Sequence, residues 1–281
     1  IIEVGRADAF IEAISEVIKR LAVDHLHIVG DIYDRGPRAD IIMDSLRAHH
    51  RVDVQWGNHN ILWMGAAAGS PACIANVLNI SLQYNNLDVI ESGYAINLRP
   101  LTTFAQETYA QDDCAPFFPR LLDEAGGYDP KHLALVAKIH KAIVVIQFKL
   151  EGQLIRRNPD FEMESRLLLD KIDYEHQTIT IDGKEYPVRD CNFPTVDPKD
   201  PYRLTDEEAE LVSRLVYNFT HSGKLQWHIR FLYAQGGLYK CYNDNLLFHG
   251  CIPLEEDGSF TTIRLEGKEL SGKSLMDYAD K

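Results

Sequence analysis

The chain has 281 residues, 45% of them hydrophobic and 25% charged, with a formal net charge of −13 from 42 acidic and 29 basic side chains. That balance suits a globular protein with one large or two modest cores, and it argues against nucleic acid or a membrane as partner. No long Lys/Arg run is present to grip a polyanion, and no apolar stretch approaches the roughly 18–20 residues that span a bilayer.

The opening stretch "IIEVGRADAF" has neither the basic nor the long apolar region of a signal peptide, and it lacks an initiator Met, as expected of a piece of a longer protein. Next, Phe10, Ile11, Ile14, Val17, Ile18 and Leu21 recur at helical spacing and predict an amphipathic helix over 7–22. "HLHIVG" (25–30) reads as a short buried strand. Pro37 opens a helix expected to bury Ile41, Ile42 and Leu46, and "VDVQW" (52–56) reads as a second strand. Helix–strand–helix–strand order predicts a parallel α/β sheet, whose ligand site lies beyond the carboxyl ends of its strands. Residues 60–160 are expected to be mainly helical, with 132–148 the strongest segment. "TITIDGKEYPV" (178–188) predicts a hairpin turning at Asp182-Gly183, and the proline-broken stretch 192–202 predicts a loop. Thr205 and Glu208 form a capping box for a helix carrying Leu211, Leu215 and Phe219. Another helix ends near Gly236-Gly237, and "LYKCY" and "NLLFHG" pair around Asn243-Asp244. Five scattered cysteines without C-x-x-C spacing suit reduced thiols in a cytoplasmic protein.

Two motifs fall at the carboxyl ends of the two strands. In "GDIYDRG" (30–36), Asp31 is placed to offer a carboxylate to a hard divalent cation, and Gly30 and Gly36 are expected to let the backbone turn closely around a ligand. Arg35 carries a planar fork suited to a phosphoryl group, and Asp34 is suited to orienting an imidazole. In "GNHN" (57–60), Asn58 offers an amide oxygen to metal, and His59 can serve as an acid for a leaving oxygen. Taken singly, Asp31 and Asn58 are as readily helix caps. The five fixed residues of G-D-x-x-D-R-G followed by G-N-H outweigh that bland reading. A third match is His249, which ends the apolar run "NLLFHG".

These residues resemble the calcineurin-like metallophosphoesterase superfamily, whose runs are D-x-H, G-D-x-x-D-R-G, G-N-H-[ED], a later His after a strand, and G-H-x-H or G-H-x-P. His249 lies 190 residues beyond His59, which implies a large insertion. With "GNHN" and the run at 60–86, the chain is similar to class III fructose-1,6-bisphosphatase of the Firmicutes type. The resemblance implies an α/β metallophosphoesterase sandwich, truncated and carrying a large, mainly helical insertion. It divides the chain into a first part of the core (1–100), an insertion with one hairpin (101–237) and a return to the core sheet (238–281).

It further implies hydrolysis of the 1-phosphate of fructose 1,6-bisphosphate, a gluconeogenic step, with two divalent cations, Mn²⁺ or Mg²⁺. Asp31 would bridge the metals, Asn58 and His249 would bind one of them, Arg35 would hold the phosphate, and His59, oriented by Asp34, would protonate the leaving oxygen. A sugar bisphosphate is then the expected small-molecule partner, and a homo-oligomer is left open. No D-x-H precedes Gly30 and no Gly-His dipeptide occurs anywhere, so the expected metal site is incomplete and the chain alone is expected to be inactive. Diadenosine tetraphosphatases and protein phosphatases share G-D-x-x-D-R-G, and a non-catalytic phosphatase-like scaffold is the rival from another class. Outside the motifs, His25 and His27 are expected to be packed or hydrogen-bonded, and Trp227, His228, Phe231 and Tyr233 to be core. His49-His50 sits at a helix end, where a cationic His suits the dipole. Arg156, Arg157, Arg230 and Arg264 are each candidates for the second phosphate.

Overall fold

A computed structural model describes residues 4–121 and 128–281. The first apolar stripe forms the expected helix, α1 (Ala7–Ala22), yet none of its residues is buried. Ile11 and Leu21 are 59% and 82% exposed. Strand β1 (Leu26–Ile28) follows, then α2 (Ala39–Ala48) and β2 (Val52–Gln55). β1 and β2 are parallel, with Leu26 opposite Val52 and His27 opposite Asp53. The third strand of this sheet is β6 (Gly236–Gly237), which runs parallel to β2 from the far end of the chain. β2 is therefore central and wholly buried, whereas β1 lies at the edge and is only half-buried. The reading of 25–30 as a buried strand is corrected accordingly.

A second correction concerns α2. It starts two residues after Pro37 and turns Ala39, Asp40, Met43 and Leu46 inward, leaving Ile41 and Ile42 46% and 45% exposed. The inward stripe at 39, 43 and 46 follows the 3.6-residue period, and Ile41 and Ile42 lie off it.

The helical middle holds most of the core. α3 (Asn58–Ala67), α4 (Pro71–Gln83), α5 (Arg99–Thr108) and α6 (Pro130–Arg157) pack together. Ser70 caps α4 through its hydroxyl, and Pro71 occupies the first turn, where its missing N–H costs nothing. The 28 residues of α6 bury Ile139, Ile143, Ile146 and Leu150 against α4 and α5. It also carries two fully buried lysines that composition gives no reason to expect. Lys141 donates to Asp112 and Asp190, each at 2.6 Å, and Lys149 donates to Glu208 at 2.7 Å and to the Thr195 carbonyl at 2.6 Å. Each ammonium pins a polar loop to the helix and is neutralised there, as a buried charge must be.

β3 (Ile172–Asp173), β4 (Thr178–Ile181) and β5 (Lys184–Pro187) form an antiparallel sheet. Its turn has φ of 50° at Asp182 and 75° at Gly183, the left-handed pair that a two-residue hairpin turn needs. Thr205 and Glu208 make the reciprocal capping box of α7 (Asp206–His221), which buries Leu211, Leu215 and Phe219. α8 (Gly223–Gln235) follows and leads into β6. β7 (Tyr239–Tyr242) and β8 (Asn245–Phe248) pair with each other through the left-handed Asn243-Asp244 turn, and not with the parallel sheet. β9 (Ile263–Leu265), β10 (Lys268–Leu270) and α9 (Gly272–Asp280) complete the described chain. The fold class is α/β. On α8, His228 is buried, but Trp227 and Tyr233 are 54% and 56% exposed, so the expectation that all four aromatic-face residues are core is corrected. The inward positions of α8 are Leu225, His228, Ile229 and Leu232, and 227 and 233 fall on the other side.

Candidate active site

The chain leaves β1 through two consecutive left-handed residues, Gly30 (φ 87°) and Asp31 (φ 49°). Such a backbone is strained for an aspartate and is held only because its surroundings fix it. The Asp31 N–H donates to Asn60 Oδ1 at 2.7 Å, and the Gly57 N–H donates to the same oxygen at 3.1 Å. Asn60 is fully buried and ties the turn after β1 to the turn after β2. It escaped the sequence reading, although its place as the last residue of "GNHN", on the inward face of α3, was the available signal. The Asp31 carboxylate in turn accepts from the His59 N–H at 3.2 Å, at the N-terminus of α3, where negative charge is favoured.

His249 reaches this corner from the end of β8. Its Nε2 lies 2.9 Å from Asp31 Oδ2, and its Nδ1 lies 2.7 Å from the Val29 carbonyl. A carbonyl only accepts, so Nδ1 carries the proton, and in a neutral ring Nε2 presents a lone pair to the carboxylate. Two acceptors that close need a positive species between them, either a proton or a metal ion. The donor set thus fits a divalent cation. The approach is tight: a Cβ on Gly30 would stand 2.5 Å from His249 Nδ1, and one on Gly57 would overlap Asp31 Oδ1. Gly36, by contrast, has open space around it and no positive φ, so the expected backbone role holds for Gly30 and not for Gly36.

Of the remaining motif residues, His59 Nε2 lies 3.1 Å and Arg35 Nε 3.2 Å from Asp34 Oδ1. Neither approach has hydrogen-bond alignment, and that carboxylate oxygen is buried without a formal partner among the described residues. The Arg35 guanidinium is largely exposed and lies 5.3 Å from the centre of the Tyr84 ring. Asn58 is exposed in the first turn of α3. The structure therefore gathers Asp31 with His249 and Asp34 with His59 and Arg35. Of the arginines considered for a second phosphate, Arg156 pairs with Asp170 and covers Tyr202, Arg264 pairs with Glu269, and Arg157 and Arg230 are exposed.

The motif loop is also anchored from beneath. Tyr33, inside "GDIYDRG", is buried, and its hydroxyl lies 2.9 Å from that of Tyr94. Tyr94 continues to His228 Nδ1 at 3.0 Å, and His228 Nε2 reaches Asp44 at 2.8 Å. Burial raises both phenol pKa values well above the ordinary 10, so the hydroxyls stay protonated as links in this chain.

The profile of the family described as Firmicute fructose-1,6-bisphosphatase matches residues 1–281. The chain belongs to this family. Its relatives include proteins named fructose-1,6-bisphosphatase class 3 in Clostridium novyi (strain NT), 58% identical over 280 residues, and Clostridium tetani, 58% identical over 281. One from Bacteroides thetaiotaomicron is 55% identical over 281 residues. Each alignment covers 100% of this chain and 42% of the relative, so the chain spans under half the length of the curated proteins it matches. No solved structure matches it. In this member of the Firmicute fructose-1,6-bisphosphatase family, the parallel pairing of β1 and β2 brings the turns of Asp31 and Asn60 together, and the separate β7–β8 hairpin delivers His249. Among the described residues no helix is long and apolar enough to cross a membrane.

Proposed function

We propose that this chain carries part of the catalytic site of a metal-dependent phosphatase, one that converts fructose 1,6-bisphosphate to fructose 6-phosphate and phosphate in the cytoplasm. The observation that carries the reading is Asp31 beside His249, an imidazole and a carboxylate 2.9 Å apart and placed to share a proton or a divalent cation. Asp31, Asn58 and His249 would hold Mn²⁺ or Mg²⁺, which when bound polarises the phosphoryl oxygens as a Lewis acid. Arg35 binds the phosphate through its guanidinium, whose exposure leaves it free to do so. His59 gives a proton to the departing sugar oxygen, and Asp34, 3.1 Å away, orients its ring. We read residues 1–100 and 238–281 as parts of a metallophosphoesterase-type sandwich, with 101–237 inserted.

The test is phosphate release from fructose 1,6-bisphosphate with Mn²⁺, comparing the whole gene product with this chain. The whole product turns over, and His59→Ala lowers kcat by about 10²–10⁴-fold. Asp31→Asn abolishes turnover, and this chain alone is inactive. Hydrolysis of a dinucleoside polyphosphate or a phosphopeptide instead moves the substrate and keeps the site. Full activity in both variants removes the site.

A further inference from the structure

We propose that His25, His27 and Asp53 form a second metal site, for a borderline divalent transition ion such as Zn²⁺ or Co²⁺, at the end of the parallel sheet opposite Asp31. The placement follows from strand geometry. His25 immediately precedes the edge strand and His27 lies within it, their rings adjacent, and the parallel register sets His27 directly opposite Asp53. One ligand atom from each of the three lies within 4.8 Å of the other two. Two imidazoles and one carboxylate suit a Zn²⁺-like ion better than Mg²⁺ or Ca²⁺, and three protein ligands leave a coordination position open.

Without a metal, four nitrogens crowd the Asp53 carboxylate. Asp53 Oδ2 lies 2.7 Å from His25 Nε2, 2.9 Å from His27 Nδ1 and 2.6 Å from Lys240 Nζ. Gln55 takes Oδ1 at 2.8 Å. His27 Nδ1 lies equally 2.9 Å from Oδ1, so the four nitrogens match the roughly four lone-pair sites of the carboxylate. The two rings lie tilted by 30° with centroids 4.3 Å apart, close enough to face one ion together. The His25 side chain is only 9% exposed, and its Nδ1 is buried with no hydrogen-bond partner among the described residues. A metal ion would take the two imidazoles and the carboxylate as ligands. Lys240, 36% exposed and on a flexible stem, is the cation it would displace. Tyr242 on β7 packs against both rings. A cleft of about 1000 Å³, lined by His25, Asp53 and Lys240, gives access from solvent.

The experiment is a Co²⁺ titration of this chain in the Asp31→Asn background, which silences the first site, read from the ligand-field absorption of four-coordinate cobalt. One equivalent binds, and Zn²⁺ displaces it. His25→Gln and His27→Gln each abolish the signal while keeping the far-UV circular dichroism of the parent, and Lys240→Gln tightens binding about tenfold by removing a competing positive charge. Two independent histidine variants guard against one that misfolds, and the X-ray absorption of the zinc form reports imidazole ligands without any substitution. Absence of binding in both the Asp31→Asn protein and its Lys240→Gln derivative overturns the proposal. So does binding that persists in both histidine variants.

Discussion

Replacing Gly30 with alanine concentrates two penalties at one atom. Its φ of 87° lies where an L side chain is disfavoured by about 1–2 kcal/mol. The new Cβ would also stand 2.5 Å from His249 Nδ1 and 2.9 Å from the Gly57 nitrogen, so either the imidazole or the turn after β2 must move. Overpacking of this kind costs about 1–3 kcal/mol, which brings the total to about 2–5 kcal/mol. The first bond to suffer is that between His249 Nδ1 and the Val29 carbonyl, the contact that fixes the tautomer of the ring. Gly36→Ala is the matched control. It lies five residues beyond Asp31 in the same motif, has nothing within 4 Å of the added methyl, and is expected to change stability by no more than about 0.5 kcal/mol. Urea unfolding followed by circular dichroism gives both values, and NMR of the His249 ring reports whether the tautomer survives. If the two variants are equally stable and the His249 resonances are unmoved, the close packing argued for this corner is wrong.

Lys149→Met strands the buried Glu208 carboxylate and is expected to cost about 3–5 kcal/mol; adding Glu208→Gln should recover part of the loss, since the glutamine can still serve the capping box of α7, and a double-mutant cycle measures this coupling. Burial pushes the Asp112 carboxyl up, but hydrogen bonds from Lys141, the Cys114 N–H and Asn192 outweigh it and hold the group at about 2. Because this folded value is below the ordinary 3.8, its stabilisation is intact above about pH 4 and disappears as pH falls towards 2. Asp112→Asn should flatten that part of the acid-unfolding curve, and an unchanged curve would rule the residue out as its source. A thiol reagent at pH 8 should label the exposed Cys241 and Cys251 first, while Cys114, buried and pushed up to about 12 by burial and then by the Asp112 charge, reacts only on unfolding. Mass spectrometry of the labelled peptides gives the order directly.

Local chemistry was legible wherever it is written in neighbouring residues. The capping box at Thr205, the left-handed turns at Asp182-Gly183 and Asn243-Asp244, the stripe of α1 and the two sheet-edge motifs all depend on spacings of a few residues, which a sequence displays in full. The family could be read for the same reason, because "GDIYDRG" and "GNHN" are contiguous. What a residue faces depends on partners far along the chain, and there the sequence was silent. β1 is half-buried because β6, brought from position 236, completes the sheet on the other side of β2. Ile41 and Ile42 are exposed because the inward arc of α2 falls on Met43. Lys141 and Lys149 lie in the core because acids from distant loops meet them there. Asn60 binds two turns at once, and His25 and His27 meet Asp53 through a register that only pairing establishes. The sequence by itself determined the elements, their turns and the chemistry of the first motifs. Tertiary structure alone decided which side chains share a corner, because burial and charge pairing are properties of two segments together.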